Sequence, residues 1–397
     1  MNFKTAFLVG LFPNETRNEI EKSSLGPIQY AADALQWSLV RGLDQHLQNL
    51  TLINLLYVGS WPKRYNDFKV KSYSFSHNGI SEDYNVGFVN LMLYKLYSRY
   101  FNCKKHLIKH IVQHNDVLLI YAIHLPFLLA AVHARAKKPN LKICLIVPDL
   151  PGFMGDDSFT RKCFAWLEDG ILKYCLNRID SFVLLSKYMA PYLKIENKPW
   201  TVLEGIFDDT DDASPQVKEE NITILYSGTL AIRYGIKNLL QAFMEIDNYN
   251  YRLWIFGDGD GRAVVENCAI NDKRIIYFGQ KARNEILKHQ KQATILVNPR
   301  TTEGDYTKYS FPSKIMEYLA SGTPTIMNKL QGIPDEYFKY CYIAENNYVS
   351  GLKNKIVEVA SLTAAEREQF GQKARNFILQ NKNAKVQTQK IIDLINR

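Results

Sequence analysis

The chain has 397 residues, 46% hydrophobic and 22% charged, with 24 Tyr and 20 Phe. That is enough for two or three domains with separate cores, and the balance excludes a disordered or fibrous protein. The formal net charge is +9, and the first 200 residues hold most of it, with 24 Lys and Arg against 16 Asp and Glu. Such an excess favours an anionic partner for the N-terminal half, a membrane surface, a phosphorylated lipid or a nucleic acid, with a solvated face that has no partner as the competing reading.

The opening MNFKTAFLVGLFP has too short an apolar stretch for a signal peptide and reads as a first strand over 4–10. Further strands are expected at 50–58, 70–76, 116–122, 141–147 and 180–186. Between them, helical spacing runs through Ile28, Ala31, Leu35, Leu39 and Leu43, and again across 88–112. The most apolar window, 117–134, contains His124, Pro126 and His133 and splits into a strand and a helix, so no transmembrane span is expected. Six cysteines form no C-x-x-C pair and read as small core residues, with no call for an oxidising compartment.

Segment 205–220 is acidic, contains proline and lacks periodicity, as a linker would. The alternation then restarts, with strands at 221–227, 251–257, 274–279, 294–299 and 323–328. The last stretch, 363–397, is helical and basic. Apolar strands alternating with helices imply parallel sheets covered on both faces, here as two doubly wound units. The expected boundaries are 1–204 and 205–379, with helix 380–397 packing back on the first domain.

In such sheets ligands bind beyond the carboxyl ends of strands, so the motifs that follow strands carry the functional argument. After 294–299 the chain reads NPRTTEGDYTKYSFPSKIMEYLASGTPTI. Pro312 suits a first helical turn, and Gly322-Thr323-Pro324 suits a stop. Backbone N–H groups at Ser313 and Lys314 then offer an anion site, and Glu317 one turn later can accept bonds from vicinal hydroxyls. A solvated helix glutamate is the competing reading.

The run Glu317-Tyr318-Leu319-Ala320-Ser321-Gly322-Thr323-Pro324-Thr325, preceded by Ser310-Phe311-Pro312-Ser313-Lys314, resembles the donor-binding signature of retaining glycosyltransferases of family 4. It is most similar to the variant found in bacterial polysaccharide and glycoconjugate assembly. The resemblance implies a GT-B fold, with two facing Rossmann-like domains and an interdomain cleft whose closure excludes water. It also implies a nucleotide-sugar donor whose ribose meets Glu317, and neither metal nor other cofactor. A second resemblance covers YSGTLAIRYGIKNLLQAF (226–243), where Gly228, Leu230 and Gly235 align with the family. Thr229 and Tyr234 replace its usual Arg and Lys, so Arg233, Arg300 and Lys314 are the candidate cations for the diphosphate. Tyr309 stands where the family has its first glutamate, with Glu303 upstream.

Weaker matches complete the set. Gly257 lies in WIFGDGDGR, which lacks the G-x-G-x-x-G spacing of a dinucleotide site and so disfavours a nicotinamide dehydrogenase. Gly279 and Gln280 align beside the nucleobase, and Gly26 with a glycine-rich turn near phosphate and acceptor. Asp149 follows a strand where relatives carry His-Asp or His-Glu, although Pro148 replaces the His. The string Asp208–Asp212 contains an Asp-x-Asp, a metal motif that the resemblance makes unneeded. Helix 88–111 interleaves aromatics with Lys95, Arg99, Lys104, Lys105 and Lys109. It is either a core helix with a solvated basic side or a face for anionic headgroups.

The expectation is retaining transfer of a hexose from a nucleotide sugar, UDP favoured, to a hydroxyl of a lipid-linked saccharide or other glycoconjugate. The setting is cytoplasmic, at the inner face of the membrane, without nucleic acid. Asp149, Arg233, Arg300 and Lys314 are the catalytic candidates; the remaining residues bind substrate. The alternative, motivated by Thr229, Tyr234 and Tyr309, is a catalytically weak GT-B partner or chaperone of another transferase.

Overall fold

The computed structural model describes residues 4–150, 169–208, 216–304, 306–345 and 348–397. The chain forms two compact units, Met1–Ile206 with Ala384–Arg397, and Phe207–Asn383. Both are α/β units built on parallel sheets.

The first unit has β1 (Thr5–Val9), β2 (Leu50–Asn54), β3 (Lys69–Val70), β4 (Tyr73–Phe75) and β5 (Asp83–Asn85). There follow β6 (Phe88–Val89), β7 (Val117–Tyr121), β8 (Lys142–Val147), β9 (Ser181–Leu184) and β10 (Trp200–Val202). Its main sheet has the order β10-β9-β8-β7-β1-β2-β5-β4, parallel apart from the β4–β5 pair. Every residue of β1 and β7 is buried, as strands covered on both faces must be. The chain builds outward from β1 in one direction and then restarts at β7 on the other side, which makes the β1–β7 boundary a topological switch point.

The single strand expected at 70–76 is broken in two: β3 pairs antiparallel with β6, and β4 with β5. Helix Lys95–His106 turns one basic residue inward while Lys105 stays exposed. It buries Ser98, Arg99 and Cys103 while Leu96, Tyr97 and Phe101 are exposed. The inward residue is Arg99, and its partners allow the burial. Its guanidinium donates to the Leu55 and Leu56 carbonyls just beyond β2 and lies 4.9–5.3 Å from the rings of Phe88, Tyr57 and Phe127, a partner set that lets a cation replace water.

Helix Ala384–Ile395 belongs to this unit and packs on helix Tyr30–Asp44. Ile391, Leu394 and Ile395 join Phe7 and Leu119 in one core. The approach is close at Gly42, where an added Cβ would lie 2.4 Å from the Ala384 carbonyl oxygen.

The second unit contains β11 (Ile222–Ser227), β12 (Tyr251–Phe256), β13 (Ile275–Gly279), β14 (Ile295–Asn298), β15 (Thr325–Met327) and β16 (Tyr342–Ile343). The order β13-β12-β11-β14-β15-β16 is the doubly wound 3-2-1-4-5-6 arrangement when counted from β11. All its pairs are parallel. Its switch point lies between β11 and β14. Of the expected linker, Phe207 is buried and its N–H donates to the Lys382 carbonyl, so this end of it is part of the second unit.

Candidate active site

The loops after β11, β12 and β13 are stitched together by glycines. Gly228 N–H donates to Phe256 O, and Gly257 N–H donates to Gly279 O. Gly257 has φ +129° and passes so close that a Cβ would fall 1.8 Å from the Gly228 carbonyl oxygen. Glycine is therefore required here by backbone packing. Thr229 follows, with its carbonyl accepting from the Tyr226 hydroxyl at 2.8 Å. Gly279 ends β13 and Gln280 follows it, separated from β11 by β12, and Gln280 is exposed.

The loops after β11 and β14 meet directly at the switch point. Gly235, at φ +83°, lies against Pro299, where a Cβ would be 2.1 Å from the carbonyl oxygen. This contact brings Tyr234 under Arg300, with the guanidinium 4.1 Å from the ring centroid, and Arg233 lies 5.0 Å from the same ring. Tyr306 is 5.7 Å from both guanidiniums, and its hydroxyl donates to the Arg233 carbonyl. Two arginines are thus gathered on tyrosines at the position where the resemblance places a lysine. Asn328 holds the Arg300 carbonyl at 2.9 Å, and Arg300 reaches Ser310 Oγ at 3.4 Å.

Glu317 belongs to helix Lys314–Ala320, which follows Pro312 and ends at Ser321 and Gly322. Gly322 has φ +78°, the left-handed stop that a glycine provides. The next residue, Tyr318, keys the helix to β11: its hydroxyl accepts from Ser227 N–H at 2.8 Å and donates to Ser227 O at 3.1 Å. Burial pushes that hydroxyl up to about 12, so it remains a donor. Glu317 is ion-paired with Lys314 at 3.1 Å and Arg283 at 3.5 Å. Ser313 caps the helix without a side-chain hydrogen bond and is exposed. Phe311 is packed rather than presented, buried 5.3 Å from the Tyr337 ring. Tyr309 ends the short helix Tyr306–Tyr309, and Ser310 Oγ donates back to Tyr306 O.

In the first unit, Gly26 lies between β1 and helix Tyr30–Asp44, and Asp149 follows β8. Asp149 is exposed just beyond β8, where partial desolvation raises its pKa. Gly26 lines a cavity of about 840 Å³ at the β1–β7 switch point, with Tyr57, Lys95, Arg99 and His124 among its other walls. Burial first, and the cations Arg99 and Lys95 second, push His124 well below its usual range and leave it neutral. Ala122, also in the wall, has φ +68°, a costly backbone region for a residue with a Cβ.

Sequence reading missed this cavity and missed Arg283. His124 was findable, since it lies in the loop just beyond β7; Arg283 opens helix Arg283–Gln292, where the resemblance marked only Gly279 and Gln280. Of the string Asp208–Asp212, all but Asp208 lies outside the described residues. No described helix is long and apolar enough to cross a membrane.

Residues 207–377 match the family described as "Glycosyl transferases group 1". Sucrose-phosphate synthase from Thermosynechococcus elongatus is similar in structure, with TM-score 0.61 at 13% identity over 99% of this chain and 98% of that one. The apo lipopolysaccharide outer core galactosyltransferase WaaB gives 0.63 at 15% identity over 99% of each chain. HepE from Anabaena in complex with UDP gives 0.62 at 12% identity, again over 99% of each. No curated protein matches in sequence. The fold is GT-B, and with the matched domain it defines the class: a glycosyltransferase. The group 1 domain occupies the second unit of that fold.

Proposed function

We propose that the chain is a retaining hexosyltransferase of the family 4 type, active in glycoconjugate assembly at the inner face of the membrane. Its donor is a UDP-hexose held by the second unit. Its acceptor is a hydroxyl on a lipid-linked saccharide or related glycoconjugate held by the first. The observation that carries this reading is the gathering of Arg233 and Arg300 on Tyr234 where β11 and β14 diverge, with Lys314 and Glu317 ion-paired on the helix that follows β14. UDP and a hexose are favoured because similar proteins are described with UDP, with UDP and glucose, or as a galactosyltransferase.

As the glycosidic bond breaks, negative charge grows on the departing diphosphate. Arg233 and Arg300 stabilise it, fixed beforehand on their tyrosines so that little reorganisation is needed. Lys314 and the Ser313 N–H add to this field. Glu317 accepts the ribose hydroxyls, Gly228 and Thr229 bring backbone close to phosphate, and Gly257 holds them there. Gly279 and Gln280 border the base, while Tyr309 and Ser310 border the sugar. The departing phosphate oxygen takes the acceptor proton on the same face, which gives retention without a protein nucleophile. Asp149 and Gly26 contact the acceptor side.

A thermal-shift screen of UDP-, GDP- and ADP-hexoses, followed by nucleotide release and anomer analysis, tests the proposal. UDP-hexose should raise the melting temperature and yield product with the donor's anomeric configuration. Stabilisation by none of the three would remove the donor site. Binding without turnover on any acceptor would favour the non-catalytic partner instead.

A further inference from the structure

The cavity of the first unit contains an electrostatic mismatch. Lys95 and Arg99 line it together, with Arg64 and Lys63 at its wall, and no Asp or Glu among the described lining residues. Arg99 is buried. Its Nε makes no hydrogen bond, and neither does His124 Nδ1 in the same wall. Lys95 donates to the Val58 carbonyl, a neutral acceptor that leaves its charge uncompensated. Burial, and then repulsion from Arg99, push Lys95 down to about 7. Two neighbouring cations without a counter-charge are costly to bury, and an anion in the cavity would relieve that cost.

The rim has the opposite character. Trp61, Met92 and Leu96 line the cavity and are also exposed, and Leu93 beside them is 90% exposed. Tyr97 and Phe101 continue the apolar stripe along helix Lys95–His106. A soluble protein rarely leaves such a stripe open without a partner. Cationic wall and apolar rim are continuous through shared residues, so one ligand with both characters fits them.

We propose that this cavity binds an anionic amphiphile, an oxyanion seated at Lys95 and Arg99 with its hydrocarbon chain leaving across Met92, Leu96 and Leu93. This rests on the reading of the first unit as the acceptor-binding one, and it names the chemistry of the acceptor: a phosphorylated or otherwise anionic lipid carrier.

Calorimetric titration of the full chain tests this with three probes: decyl phosphate below its micelle concentration, decanol and inorganic phosphate. Decyl phosphate should bind at least tenfold tighter than either of the others. It should also take up protons at pH 8, as the anion returns Lys95 to its charged form. Lys95→Met should weaken decyl phosphate by at least tenfold, leave decanol unchanged and melt no lower than wild type. The pair Leu93→Ser and Leu96→Ser should weaken decyl phosphate and leave inorganic phosphate unchanged. Equal binding of decanol and decyl phosphate, or indifference to Lys95→Met, overturns the inference. Competition between decyl phosphate and the acceptor supports both the cavity chemistry and the acceptor assignment. Binding with no effect on turnover keeps the anion site and removes the acceptor assignment. No binding by a chain that turns over donor overturns the inference alone.

Discussion

Glu317 sits between two cations, Lys314 at 3.1 Å and Arg283 at 3.5 Å. A ribose would have to share this carboxylate with them, and a charged hydrogen bond of that kind contributes about 1.5–3 kcal/mol. Glu317→Ala is accordingly expected to raise donor KM by roughly tenfold or more, with a smaller change in kcat, in steady-state assays. The proposed role of Arg300 comes later, on the leaving group, so Arg300→Met should lower kcat by about 10²–10³ with less effect on KM. Tyr234→Phe keeps the ring beneath both arginines and should be nearly silent, whereas Tyr234→Ala should approach the Arg300 variant. Glu317 and Pro312 were legible because helix start, carboxylate and glycine stop fall at fixed spacing. The support from Tyr234 was not. In sequence it looks like the loss of a cation; in space it is the platform for two.

Short elements were the least legible, for a physical reason. β3 and β6 have two residues each and β5 has three, too few for any period to register. The long buried strands β1, β7 and β11 announce themselves by unbroken apolar runs. Helix Lys95–His106 was legible as a helix but not in its orientation, because carbonyls beyond β2 and three aromatic rings decide which face of it turns inward. The βα loops of the second unit depend on backbone contact, and Gly257→Ala would place a methyl 1.8 Å from Gly228 O. A fixed carbonyl cannot move aside as a flexible side chain can. The variant should lose about 1–3 kcal/mol of stability by denaturation and bind nucleotide poorly.

Another element-scale device is the His77 clasp, which joins helix Tyr30–Asp44 to β5. His77 meets Asp83 at 2.7 Å and Asp44 at 3.0 Å. Burial opposes its charge, but the hydrogen bonds it donates to Asp44 and Asp83 outweigh it and raise the pKa from 6.5 to about 9. A pKa raised by folding stabilises fully below the unfolded value and ceases to do so above the folded one. His77 therefore contributes a loss of stability as pH rises from about 6.5 through 9, opposite in sign to the contribution of Lys95, and His77→Leu should remove it from the pH profile of melting temperature.

For the whole molecule, the alternation of apolar strands and helices made two doubly wound units readable, while the contact at Gly42 that seats helix Ala384–Ile395 was not. Gly42→Ala would set a methyl 2.4 Å from the Ala384 carbonyl and should destabilise the first unit by about 1–3 kcal/mol in chemical denaturation. The +9 charge also takes on a more specific meaning, since two of its cations are turned into a cavity rather than spread over a surface. In the other unit, the proposed nucleoside diphosphate site lies where β11 and β14 diverge. Calorimetry of UDP against wild type, Glu317→Ala, Arg300→Met and Asp149→Asn tests it most directly. One site per chain is expected, weakened at least tenfold by the first two changes and unaltered by Asp149→Asn. Equal affinity in all four proteins, or no heat of binding in wild type, would contradict it.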